Sequence, residues 1–325
     1  EERTVVIQKG EERRAKAPPG NPSVLLLFRQ HFNGLRGGSG PTHRMCPQTL
    51  RIPLFPDLPR KYLILAVLFY WFNPFAMVNV WNRFLNNFLV FYTLLPLASW
   101  VFIMGLKTKR FIFSILVGLI SALFSYALTS IVFVILFWVI LGYIAAFNLI
   151  FKDSNGREKF FTVKFFLLTL LFWIIVNFWW LNQVFSYLTL GSFDVVASSS
   201  FIPENNYYTL TILSERLGNV LDVLRLRHGA FFNDAQIFWN RIYNLTPIKA
   251  LESLMITLMI VGAILGRKNL SVLFFLGLFL GSAFLAKGNN PPFGEVVSFI
   301  FWKFSVFQLF RNPFEKFGFL LILAA

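Results

Sequence analysis

The sequence predicts an all-α, polytopic helical membrane protein of about seven spans plus a truncated eighth, with an outer layer built on an amphipathic helix. Three observations predict it. The 325 residues are 56% hydrophobic and include 42 phenylalanines. Only 14% are charged, against about 25% in an ordinary soluble domain. Apolar runs reach the roughly 20 residues that a helix needs to cross the hydrocarbon core, and they lack the short apolar–polar alternation of a barrel strand.

Residues 1–60 stand apart, with eight Arg, two Lys and three Phe, where 61–325 hold 39 Phe. Their one apolar run, "SVLLLF", is too short for a span and lacks the flanks of a signal peptide. This segment is expected to be a basic tail, disordered or foreign to the gene. The chain opens without Met and stops about half a span after 316, so it is expected to be incomplete. Expected spans cover about 61–80, 86–106, 111–129, 131–150, 161–182, 249–266 and 270–286, with the truncated one starting near 316. The charge-free block 111–151 exceeds one span and divides at Ser125 to Ser130. These elements group as a tail (1–60), a first membrane bundle (61–182), an outer loop domain (183–248) and a second bundle (249–325).

Orientation follows from Lys and Arg in short loops. Arg60-Lys61, "KTKR" (107–110), "KDSNGREK" (152–159) and Arg267-Lys268 all fall on one side, the expected cytoplasmic side. Of ten acids after residue 60, seven fall on the other side: Asp194, Glu204, Glu215, Asp222, Asp234, Glu295 and Glu315. That side also receives Lys287, Lys303, Arg311 and Lys316, which break the charge rule and therefore need a task. The single cysteine, Cys46, and three scattered histidines offer no metal cluster, which leaves a divalent ion neither required nor barred. The net charge of +15 suits anionic lipid headgroups rather than nucleic acid.

Two outer stretches carry the polar chemistry. In "YYTLTILSERLGNVLDVLRLRHGAFF", Leu213, Leu217, Val220, Leu221 and Leu224 recur at helical spacing among Arg216, Asp222, Arg225 and Arg227. That pattern predicts one interfacial amphipathic helix, resting on the membrane or walling a cavity for an anionic, lipid-linked substrate. In "KGNNPPFGEVVSFIFWKFSVFQLFRNPFEKF" (287–317), Pro291-Pro292 ends a helix, and Gly288 and Gly294 allow close backbone approach. Trp302 and Lys303 suit the interface. Asn312 is an N-cap, Pro313 a first-turn residue and Glu315 a first-turn acid. Arg311 beside free backbone N–H groups suits a phosphate.

The stretch "FLAKGNNPPFGEVVSFIFWKFSVFQLFRNPFEKF" resembles a segment of the polytopic GT-C glycosyltransferases, above all the membrane arabinofuranosyltransferase group of mycobacterial cell walls. Related membrane proteins that glycosylate surface polymers share the Phe-Arg-x-Pro ending. "YWFNPFAMVNVWNRFLNNFLVFYTLLPLASW" (70–100) is similar to that group's Trp-Asn-Pro-Tyr segment, and "VNFWWLNQVF" (176–185) to its exit from a span into an outer loop. The resemblance implies a multi-pass protein of the cell (plasma) membrane with its active side facing outward. It implies transfer of a sugar from a polyprenyl-phosphate donor to a glycan acceptor, with lipid and no nucleic acid as partners and no visible cofactor. Arg311, Lys316 and Lys287 would bind the donor phosphate. Asn289, Asn290, Glu315, Arg225 and Arg227 would line the substrate cavity.

One departure bears on catalysis. The family's catalytic acid sits in the first outer loop, whereas 73–85 holds no acid and Asp57 falls on the expected cytoplasmic side. Asp194, Asp234 and His228 remain as candidates. Two alternatives stay open: a non-catalytic protein that binds lipid-linked glycans, and a glycolipid transporter or flippase. Transport predicts charged residues at mid-span and internal repeats, and the sequence displays neither.

Overall fold

The computed structural model describes residues 60–151, 155–189, 202–232 and 238–325. Every element among them is helical. Helix α1 (Arg60–Phe72) stops at Asn73, and one turn at Pro74–Ala76 leads into a π-helical segment, Met77–Asn82. Asn73 makes this break tolerable inside a membrane, where backbone groups have no water to bond. Its side chain accepts from the Ala76 N–H at 3.0 Å and donates to the Tyr70 carbonyl at 2.8 Å. The π segment ends by delivering Arg83, whose N–H reaches the Val78 carbonyl.

Helix α2 (Asn86–Thr108) crosses next. Helix α3 (Ile112–Leu123) and a 3-10 segment (Ser125–Thr129) precede α4 (Ile131–Phe151). The charge-free block thus divides where its length demands. Its first half differs from the expected span, because a 12-residue helix rises only about 18 Å. Helix α5 (Gly156–Thr189) extends beyond the expected 161–182 at both ends, starting inside the basic loop, where the Asn155 carbonyl accepts from the Glu158 N–H. Among the described residues, five helical segments are long and apolar enough to cross a membrane: Ile64–Asn82, Asn86–Thr108, Ile131–Phe151, Gly156–Ser186 and Thr246–Leu265.

The rest of the chain forms α6 (Pro203–Leu217), α7 (Val220–Leu224), α8 (Gly229–Phe232), α9 (Phe238–Tyr243), α10 (Thr246–Leu265) and α11 (Leu270–Ala286). Then come α12 (Gly294–Lys303), a 3-10 segment (Ser305–Phe310) and α13 (Pro313–Ala324). The expected single amphipathic helix is therefore wrong: it breaks at Gly218-Asn219. A Cβ at Gly218 would lie 2.2 Å from the Lys287 carbonyl, so glycine admits that backbone, and Asn219 restarts the helix by capping the Leu221 N–H. The break shifts the buried face to Leu217, Val223 and Leu226 and leaves Leu221 exposed.

Phenylalanine builds the core. Phe91 stacks on Phe133 with centroids 4.5 Å apart, and Phe319 of α13 packs edge-on against both, at 5.1 and 5.4 Å. Phe75 and Phe88 close on the same ring. The C-terminal helix thus enters the core of α2 and α4, and 61–182 shares one compact unit with 249–325. Tyr143 ties α4 to α11 by donating to the Phe274 carbonyl at 2.8 Å.

Candidate functional site

The π segment places Arg83 opposite the start of α13. There Asn312 caps the helix, accepting from the Glu315 N–H, and Pro313 occupies the first turn. A carboxylate in that turn benefits from the positive end of the helix. Glu315 is hydrogen-bonded and ion-paired to Arg83 and lies 3.2 Å from His228 Nε2. His228 Nδ1 accepts from the Phe231 N–H at 3.2 Å, so the neutral ring carries its proton on Nε2 and donates it to Glu315. Burial would push the Glu315 carboxyl up, but the His228 hydrogen bond and the Arg83 guanidinium outweigh it and hold it below the usual carboxylate range.

Two further cations join this acid. Lys316 sets its ammonium over the Phe88 and Phe133 rings at 5.0 and 4.9 Å. The charges of Glu315, Arg83 and Arg311 all act at Lys316, that of Glu315 most strongly. Arg311 is exposed and donates to Asn206 Oδ1 at 3.0 Å. Among the described residues, neither Arg311 nor Lys316 has a carboxylate ion-pair partner. Arg83 and Lys316 thus flank the committed carboxylate, and Arg311 adds its charge at Lys316. Lys109 pairs with Glu158 at the other end of α2, so the 107–110 connector and the start of α5 share the end of the bundle opposite to this cluster.

The remaining candidates lie elsewhere. Lys287 is buried, donating to the Asn290 carbonyl at 2.6 Å over the Phe284 ring. Asn289 donates to Thr211 Oγ1 at 3.0 Å and Asn290 to the Ser214 carbonyl, so both fasten the 287–293 loop to α6. Arg227 joins Glu252 at 3.0 Å and Asn244 at 2.9 Å, with Phe232 beneath its guanidinium. These contacts pin the connection between α7 and α8 to α10. Arg225 donates to Ser253 Oγ and lines a small, half-open cleft with Phe69, Met255, Met259, Phe279 and Glu252. Buried polar atoms beside that cleft, Arg225 Nε and Glu252 Oε1, lack hydrogen-bond partners.

Asp194 and Asp234, expected as catalytic candidates, lie outside the described residues, as do Asp57 and the tail. Among the described residues no group of three His, Cys, Asp or Glu is placed to hold a metal. Sequence reasoning missed Arg83. The signal was present, since Arg83 falls in the stretch 73–85 expected on the outer side and breaks the same charge rule there as Arg311. Comparisons with protein-family models, curated proteins and solved structures return no match.

Proposed function

We propose that the cluster of Arg83, Arg311 and Lys316 binds the phosphate of a polyprenyl-phosphate sugar, and that the protein is a GT-C-like glycosyltransferase acting on the outer membrane face. The observation that carries this reading is the excess of cations around Glu315 at the end of the bundle opposite the basic loops. In such a transfer the acceptor hydroxyl attacks the anomeric carbon, the carbon–oxygen bond to phosphate breaks, and the polyprenyl phosphate leaves with the electron pair. Guanidinium and ammonium groups placed on that phosphate stabilise the charge as it develops. The acceptor proton needs a carboxylate within hydrogen-bond reach, and Asp194 and Asp234 are the candidates. Glu315 suits that task poorly, because a carboxyl held low by two partners is a weak base.

That commitment of Glu315 favours a second reading, in which the same cluster binds a lipid-linked glycan without turning it over. Both readings are tested by Arg311→Ala in the purified full chain. One charge-assisted hydrogen bond contributes about 1.5–3 kcal/mol, so affinity for a polyprenyl-phosphate sugar should fall roughly 10- to 100-fold with the thermal midpoint unchanged. Undiminished binding would sink the phosphate assignment.

A further inference from the structure

Segment 287–312 joins α11 to α13, and its centre is α12. Ten residues rise about 15 Å, half of what a span needs, so α12 does not cross. One side of it is packed: Val297 and Phe301 are buried, and Tyr207 of α6 lies against Phe301 and Trp302 and hydrogen-bonds to Ser298. The other side carries Phe293, Val296, Phe299 and Trp302 at three-residue spacing, all exposed, with Phe299 at 64%. Phe304 and Val306 extend this apolar row into the 3-10 segment. Exposed Glu295 and Lys303 bracket it at its two ends.

We propose that 293–306 is an in-plane membrane anchor, with this row sunk into the headgroup–acyl boundary of the same bilayer and Lys303 at the level of the lipid phosphates. Three features select lipid as the occupant. The short connectors 287–293 and 304–312 tether α12 between an apolar helix and a helix start, which keeps it at the membrane boundary. Lys303 and Trp302 at its end are the residues that seek that boundary. Valine and phenylalanine add apolar area but no hydrogen-bonding groups, which suits acyl chains and leaves the hydroxyls of a sugar without partners. Through Phe310, which stacks on Phe317 at 4.9 Å, the anchor is coupled to the start of α13 and fixes the cation cluster at headgroup depth. The inference rests on the membrane-crossing helices and stands whether or not the cluster binds a sugar donor.

The test is spin-label accessibility in the full chain. In a Cys46→Ser background, single cysteines replace Val296, Phe299, buried Phe301 and exposed Glu215, each carrying a nitroxide. The proteins are reconstituted into vesicles of phosphatidylcholine and phosphatidylglycerol in equal parts. Labels at 296 and 299 should collide more with oxygen than with a water-soluble nickel chelate, at a depth of about 5–10 Å below the headgroups. The Glu215 position should display the reverse preference. Nickel exceeding oxygen at 299 would overturn the proposal by placing the row in water. Collisions suppressed to the level of Phe301 would overturn it by assigning the row to a protein partner. A depth at the bilayer centre would overturn it by making the segment re-entrant.

Discussion

Two arginine–glutamate pairs occur among the described residues, and they differ in how much each leaves over. Arg227 and Glu252 have side chains 5% and 8% exposed. Asn244 and the Tyr243 carbonyl complete the guanidinium's bonding, and Phe232 covers its face. Arg83 and Glu315 are 37% and 10% exposed, and near them Lys316 and Arg311 have no acid ion-paired to them among the described residues. The first pair is a closed pin between α10 and the connection between α7 and α8. The second is an open cluster with positive charge in excess. An arginine–glutamate pair is therefore no guide to function; the charge balance and exposure around it are.

The largest effect that this contrast predicts is on the closed pair. Glu252→Ala should destabilise the protein by about 3–5 kcal/mol, because Arg227 keeps its buried charge. Arg83→Ala, at a partly exposed site, should change stability by about 1 kcal/mol or less. Thermal unfolding of the two variants in detergent measures both. Equal losses would erase the distinction between pin and cluster.

The next effect falls on the connection between the two regions. Gly288 has φ +65°, and a Cβ there would lie 1.9 Å from Ser214 Oγ and 3.0 Å from Pro313. Gly288→Ala should cost about 1–3 kcal/mol and loosen the 287–293 loop, raising amide exchange in Asn289 and Asn290. Protection at the wild-type level in the variant would show that the loop is not set by this contact.

The smallest effect is on pH dependence. The Glu315 carboxyl is lowered in the fold, so its contribution is complete above the ordinary glutamate range and fades as pH falls through its lowered value. Burial holds Asp222 above the usual aspartate range despite Arg227, Arg225 and Lys249, so its contribution has the opposite sign and grows as pH falls. Acidification of wild type should remove the Glu315 contribution, and Glu315→Gln should flatten that loss. Asp222→Asn should raise stability at neutral pH. An acid profile identical in wild type and Glu315→Gln would remove the carboxylate from the centre of the cluster.

The sequence made part of this legible. The turn at 125–130 followed from length alone, and the Asn312, Pro313 and Glu315 helix start followed from capping chemistry. What it hid were contacts between distant segments. Gly218 sits inside a helical pattern that periodicity favours, and its reason for breaking the helix is the Lys287 carbonyl, some 70 residues away. Lys287 looked like a free cation because its partner is a backbone carbonyl, which no side-chain pattern announces. Arg83 sits among apolar residues with no acid near it in sequence, and its partner lies 232 positions on. Helix α5 gave no stop signal at 161 or 182, so hydropathy marked only its membrane portion.

The central claim is that Arg83 and Arg311 form one anion site. The most direct measurement is binding of polyprenyl phosphate, without sugar, to wild type, to each single Ala variant and to the double variant, with Arg267→Ala on the basic side as control. Each single variant should lose roughly tenfold or more in affinity, and the double variant should lose more. The losses should shrink at high salt, and Arg267→Ala should bind as wild type. Binding indifferent to both Arg83 and Arg311, or equally weakened by Arg267→Ala, would contradict it.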